Sequence, residues 1–317
     1  MDYILNLILL LGGFFFLVKG ADLFVDGSSS VAKIFKIPSV IIGLTIVSIG
    51  TSLPEAAVSI TSSLQGSYDL SIANVIGSNI FNLLVVVGAS AIICPFVVDK
   101  MIIKRDFPIC IGITALLTLM LTDNTLSRVE AGILLVTFVI YIIALIISAL
   151  KQPSAPETEE NPLPVGKSLL FILLGGVGII LGGTFTVDSA KFFAEVFGMS
   201  EMLIGLTVVA VGTSLPELVT SIVAAKKGES DIALGNAVGS CIFNVMFILG
   251  MSGLVHPLTC GPEALIDTAI LIAVSLVMAV VCLTGKKANR PEGAVCVILY
   301  VVYVAYTIMR AFNMLPF

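Results

Sequence analysis

The sequence is poor in charge. Of its 317 residues only 12% are Asp, Glu, Lys or Arg, whereas 58% are hydrophobic and the mean hydropathy is +1.13. A soluble domain could not hide that much apolar surface, which leaves a polytopic membrane protein embedded in a lipid bilayer. Histidine occurs once, as His256 beside Pro257. That scarcity removes the imidazole sets that zinc, copper or iron favour. With no H-E-x-x-H and no histidine partnered to a serine, it also argues against an intramembrane enzyme. The six cysteines (Cys94, Cys110, Cys241, Cys260, Cys282 and Cys296) form no C-x-x-C pair and read as small core hydrophobes. The net charge of −5 is scattered over short loops and implies no nucleic-acid partner. The N-terminus is apolar from Tyr3 and lacks a basic leader and a small-residue cleavage site, so it reads as a first span.

What the chain does have is long apolar runs. They fall at 3–25, 38–64, 70–93, 105–122 and 127–149, then at 166–188, 200–226, 232–255, 264–284 and 291–311. Each is long enough to cross a ~30 Å hydrocarbon core as a helix. The expected fold is therefore an all-α polytopic membrane protein with ten transmembrane helices. A first five-span half covers 1–150 and a second covers 167–317. Between them lies the hydrophilic connector 151–166, with four prolines and three glutamates. If the N-terminus lies outside, twelve basic residues fall at inside ends, among them Lys33, Lys100, Arg105, Lys151, Lys227 and Arg290. Only Arg128, Lys191 and Arg310 fall at outside ends. This bias predicts a cell inner (plasma) membrane protein with both termini extracytoplasmic and the connector cytoplasmic.

The two halves repeat each other. Gly43–Asn82 aligns without a gap to Gly205–Asn244 at a constant offset of 162, with 20 identities in 40 positions. The identities fall on polar and helix-breaking residues more than on apolar filler. They include the hexapeptide Gly-Thr-Ser-Leu-Pro-Glu at Gly50–Glu55 and Gly212–Glu217, and the pair Asn74/Asn236. Because each half has an odd number of spans, the copies enter the membrane from opposite sides, the inverted-repeat layout of secondary transporters. A duplicated scaffold with no shared site is the plainer alternative.

Within the hexapeptides, each carboxylate costs on the order of 2.5–3.5 kcal/mol at mid-span by insertion scales. Pro54 and Pro216 free backbone carbonyls that lipid cannot satisfy. Both costs at one position of two related segments make sense if both line one polar site. Thr51, Ser52, Glu55, Thr213, Ser214 and Glu217 supply hydroxyls and carboxylates. On the following span Ser78 and Asn82 share a helix face, as do Ser240 and Asn244. The sum is two carboxylates, six hydroxyls and two amide oxygens, with freed carbonyls. These are hard oxygen donors of the kind that calcium gathers in sixes to eights, and sodium accepts similar ones. Glu55 and Glu217 as a merely structural pair would repel each other unless a cation or protons lay between them. Gly50 and Gly212 are expected to admit another backbone. Lys19 and Asp22 are expected to pair locally or to snorkel rather than to bind substrate, and the glycines at 12–13, 175–176 and 182–183 to mark close helix crossings.

Two copies of GTSLPE, each followed by a G-S-x-I-F-N segment, resemble the alpha repeats of the sodium/calcium exchanger branch of the cation/calcium exchanger superfamily, in a compact prokaryotic form. The resemblance implies that Thr51, Ser52, Glu55, Ser78 and Asn82 coordinate ions from one repeat. Thr213, Ser214, Glu217, Ser240 and Asn244 would do so from the other, and backbone carbonyls at Ser48 and Ala210 would join them. It implies antiport of sodium against calcium with alternating access and no cofactor beyond the transported calcium and sodium; the sequence does not set the oligomeric state, and function as a monomer is the expectation. It also implies that the first and sixth spans slide across the rest. A proton-coupled calcium or cation antiporter is the alternative, although its relatives usually carry a G-N-x-x-E type motif in place of GTSLPE. A cation channel would need no inverted repeat of this sort.

Overall fold

The structure is a computed structural model that describes residues 2–151, 162–199, 204–285, 287–312 and 314. Among the described residues eight helices are long and apolar enough to span a membrane: α1 (Asp2–Phe35), α4 (Tyr68–Ile93), α5 (Ile102–Asp123), α6 (Arg128–Lys151), α7 (Val165–Val196), α10 (Ser230–Val255), α11 (Glu263–Cys282) and α12 (Arg290–Ala311). Two further spans are each a bent pair. They are α2 (Ser39–Thr51) with α3 (Leu53–Leu64), bent by 50°, and α8 (Thr207–Thr213) with α9 (Leu215–Lys226), bent by 48°. Counting each pair once gives the expected ten spans. Residues 152–161 of the connector and 200–203 of the seventh expected span lie outside the described residues. The second half begins its helix at Val165, two residues before the predicted start of that half.

α4 and α10 are the most enclosed spans, 72% and 78% buried over their apolar windows, against 6–28% for α1, α6, α7, α11 and α12. The two central helices thus carry Ser78, Asn82, Ser240 and Asn244 into the middle of the bundle. The predicted first and sixth spans, 3–25 and 166–188, prove too short. α1 has 34 residues and α7 has 32, or about 50 Å each at 1.5 Å per residue. Asp22, Asp26 and the Gly27–Ser30 run interrupt the hydropathy of α1 but not its backbone hydrogen bonding. Helices of that length exceed a ~30 Å core and must tilt or emerge from it.

α1 and α7 lie against each other along a seam of small residues. A Cβ added at Gly13 would sit 2.9 Å from the Gly182 carbonyl oxygen, one at Gly20 2.8 Å from that of Gly175, and one at Gly27 2.6 Å from that of Ser168. As one number climbs by seven the other falls by seven, so these equivalent helices run antiparallel. The loops agree. Strand β1 (Phe96–Val97) pairs antiparallel with β4 (Lys287–Ala288), and β2 (Thr125–Leu126) with β3 (Leu258–Thr259). β3 and β4 are the repeat counterparts of β1 and β2 at the same offset of 162. Each two-residue ladder therefore joins unlike loops of the two halves, as inverted repeats require. These ladders are too short to register in an all-α reading of the sequence.

Candidate functional site

The site lies where the two bent spans cross between α4 and α10. Each bend falls on the serine of the hexapeptide, Ser52 (φ −86°, ψ 8°) and Ser214 (φ −94°, ψ 9°). The following proline occupies the first turn of the next helix, where a missing N–H does no harm. The same proline cannot donate to the carbonyl of Gly50 or Gly212, so the chain turns there rather than running straight. Next to each bend stands a widened π-helical segment, Gly43–Val47 and Gly205–Val209. Asn82 and Asn244 open the matching ones on α4 and α10. Single π turns of this kind recur at functional sites because they displace the helix face beyond them.

The repeats exchange side chains across the crossing. Ser52 Oγ donates to Glu217 Oε1 at 2.7 Å, and Ser214 Oγ donates to Glu55 Oε1 at 2.9 Å. Both carboxylates are fully buried. Their second oxygens, Glu55 Oε2 and Glu217 Oε2, have no hydrogen-bond partner, and neither do Ser78 Oγ, Asn244 Oδ1 or either amide atom of Asn82. An unpaired buried carboxylate oxygen is costly. Gathering so many around one crossing gives a donor set shaped for a cation and short of internal partners. Among the described residues no group of three or more His, Cys, Asp or Glu is placed to hold a metal. The buried polar atoms at the crossing include carboxylate, hydroxyl, amide and carbonyl oxygens, the types that calcium and sodium accept.

Of the predicted side chains, Ser52 meets Glu217 and Ser214 meets Glu55 across the crossing. Thr51 turns to Asn236, Thr213 to its own helix and Asn244 to Asn79, while Ser78, Asn82 and Ser240 are buried on α4 and α10. The two predicted carbonyls differ. Ser48 O accepts from Ser52 N at 3.1 Å and lies 3.5 Å from Ser240 Oγ. The Ala210 carbonyl lies 3.4 Å from Thr213 Oγ1 of its own helix.

Two expectations need correction. Gly50 and Gly212 admit side chains rather than backbone: a Cβ at Gly50 would meet the Phe24 ring of α1, and one at Gly212 would meet Val187 of α7. Asp22 does not rely on Lys19; with Asp26 it holds Lys227, 2.6 Å from each carboxylate. Sequence reasoning also passed over a supporting layer. Asn74 Nδ2 donates to Glu55 O (3.3 Å) and Ser59 Oγ (2.9 Å), and Asn236 Nδ2 repeats this with Glu217 O and Ser221 Oγ at the same distances. The signal was present, since Asn74/Asn236 and Ser59/Ser221 are identities of the repeat.

Comparison with known proteins bears on the chain as a whole. The family described as "Sodium/calcium exchanger protein" matches twice, at residues 5–147 and 167–309, with the same offset of 162. The inner membrane protein YrbG of Escherichia coli K12 is 37% identical, covering 92% of this chain and 92% of its own length. The sodium/calcium exchanger MaX1 of Methanosarcina acetivorans is 34% identical, covering 94% and 97%. Among solved structures, the sodium-calcium exchanger NCX_Mj soaked with sodium and calcium superposes with a TM-score of 0.84 at 33% identity, covering 95% of this chain and 98% of that one.

Proposed function

The chain belongs to the sodium/calcium exchanger protein family, and from that premise we propose that it exchanges sodium for calcium across the cytoplasmic membrane by alternating access. The two buried carboxylates clamped by each other's serines carry this reading. Together they supply about two negative charges, which one calcium ion neutralises and which several sodium ions can share. Ser52 and Ser214 hold one oxygen of each glutamate and leave the other for the ion. Competition for the same oxygens couples the two fluxes, because binding one ion excludes the other. Thr51, Thr213, Ser78, Ser240, Asn82 and Asn244 complete the cage, with backbone oxygens at Ser48 and Ala210. A single chain contains the whole site, which suits a monomeric transporter.

The basic residues orient the protein with both termini outside. In that frame α2 lies in the cytoplasmic half and α8 in the extracellular half. α2 packs closely on α10, whereas a Cβ at Gly77 of α4, the counterpart of Gly239, would meet nothing within 4 Å among the described residues. An apolar cleft of about 370 Å³ lies between α1, α7 and α8, lined by Leu10, Phe14, Val187, Thr207 and Val211. These features fit a molecule closed toward the cytoplasm and looser toward the outside.

The test is calcium uptake into vesicles reconstituted with the purified protein. Uptake that follows an imposed sodium gradient supports the proposal. Uptake that ignores sodium but follows a proton gradient overturns it. Orientation is checked with single cysteines in a background lacking the native ones: Ser67→Cys should react with an impermeant reagent only from outside, and Lys151→Cys only from inside.

A further inference from the structure

Asn82 and Asn244 are the same residue at equivalent positions, yet they are not held alike. Asn79 lies on α4, fully buried, one residue beyond Ser78. Its side-chain nitrogen donates to the backbone carbonyl of Cys241 on α10 at 3.0 Å. A carbonyl only accepts, so this contact fixes which end of the Asn79 amide is the nitrogen. Asn79 Oδ1 is thereby turned to the other side, where it can only accept. The atom of Asn244 found 3.0 Å from it is Nδ2, the donor. The remaining end of Asn244, the oxygen Oδ1, is buried and has no partner. We propose that Asn79 is a positioning residue which locks the Asn244 amide with its carbonyl oxygen toward the transported ions. The proposal rests on the reading of this crossing as the calcium site.

The repeat offers an internal control. The counterpart of Asn79 is Cys241, whose thiol lies 3.6 Å from the Asn79 backbone oxygen. Both amide atoms of Asn82 are buried and without a partner. Asn244 is thus a fixed oxygen ligand, while Asn82 can present either oxygen or NH₂. Calcium tolerates only the oxygen, so a calcium-loaded site needs Asn82 turned one way, and Asn244 is already set. The consequence is a division of labour between two identical side chains, imposed by a non-identical pair next to them.

The experiment substitutes Asn79→Cys, the residue that the other repeat carries at this position, and measures sodium-driven calcium uptake into vesicles over a range of calcium concentrations. Asn79→Ala is measured beside it, and calcium binding to both purified variants is measured by titration, so that an effect of the thiol or of poor reconstitution is recognised. Half-saturating calcium should rise about tenfold in each, as is usual when the partner orienting a metal ligand is lost, with a smaller change in maximal rate. The decisive arm repeats both changes in an Asn244→Asp background. A carboxylate offers an acceptor whichever way it turns, so there the loss of Asn79 should shift half-saturation less than about twofold. The same shift in both backgrounds would mean that Asn79 supports only packing and would overturn the proposal, as would unchanged half-saturation in the single variants. Failure of the underlying site reading shows separately, as wild-type protein that neither binds nor takes up calcium.

Discussion

α2 and α8 are copies of one segment, yet the molecule treats them differently. α2 is stitched to α10: Thr51 Oγ1 donates to Asn236 Oδ1 at 2.9 Å, and a Cβ at Gly239 would lie 2.8 Å from both Leu44 Cα and Ser48 Oγ. On the α8 side none of these contacts is reproduced. Thr51 and Thr213 both reach the carbonyl three residues back in their own helix, but among the described residues Thr213 has no bond to Asn74, Ser78 Oγ has no partner, and a Cβ at Gly77 would meet nothing within 4 Å. Equivalent sequences in unequal packing mean that the asymmetry belongs to the conformation rather than to the chemistry. Two mirror-related arrangements of one set of contacts are what an alternating transporter needs.

Removing a carboxylate should have the largest effect and should ignore the asymmetry. Glu55→Gln and Glu217→Gln are each expected to reduce sodium-driven calcium uptake to background. A missing charge beside a desolvated divalent ion costs several kcal/mol, with about 1.4 kcal/mol for each tenfold. Uptake near wild-type rates in either variant would remove that carboxylate from the site. Next come the glycines that distinguish the two sides. Gly239→Ala should force α2 off α10 and destabilise the fold by roughly 1–3 kcal/mol, as is typical of overpacking, lowering the thermal unfolding temperature. Gly77→Ala should leave that temperature unchanged yet slow transport, because closure of α8 would bring Ala210, the counterpart of Ser48, onto the added methyl. Full transport in Gly77→Ala would mean that α8 never closes as α2 does.

A smaller difference is expected at the threonines. Thr51→Val gives up the bond to Asn236, worth about 1 kcal/mol, and should lower the unfolding temperature measurably, whereas Thr213→Val should not. Equal shifts would blur the distinction between the two sides. The smallest effect is expected from Lys227→Gln, which gives this position the residue that stands at its counterpart, Gln65. Lys227 binds Asp22 and Asp26 at a part-exposed end of α1. Such pairs contribute no more than about 1 kcal/mol and weaken with salt. The variant should make a cysteine at Ser29 somewhat more reactive toward an impermeant reagent at low ionic strength, and less distinctly so in high salt. Unchanged labelling at low salt would show that these ion pairs do not hold α1 in place.

The architecture was legible because hydropathy sets spans and because a repeat read across an odd number of spans must be inverted. The ten-helix plan rested on those two facts. The site was legible because its residues are polar where polarity is costly, so that Glu55, Glu217, Ser78 and Asn244 stand out from an apolar background. The supporting residues were harder to see. Asn74 and Asn236 are as polar as the candidate ligands and, with Ser59 and Ser221, are repeat identities, but the carbonyls of Glu55 and Glu217 that they also hold leave no trace in a sequence. Asn79 was harder still, since its counterpart is Cys241 and no identity flags it. The true length of α1 was hidden because charges end a hydropathy window without ending a helix. The partner of Asp22 was hidden because Lys227 lies 205 residues away.

The seam between α1 and α7 is an isologous contact formed within one polypeptide. Gly13 meets Gly182 as its counterpart Gly175 meets Gly20, so each half offers the other the surface that it receives. That is the geometry by which a two-fold homodimer closes. It follows that the interface is encoded in a single half and does not depend on the connector that joins the two. A free copy of residues 5–147, given a second copy in the opposite orientation, would keep Gly13 and Gly20 for that crossing but would set Asn6 where the second half sets Ser168. Covalent fusion releases the halves from identity: one could then keep Asn79 while the other took Cys241.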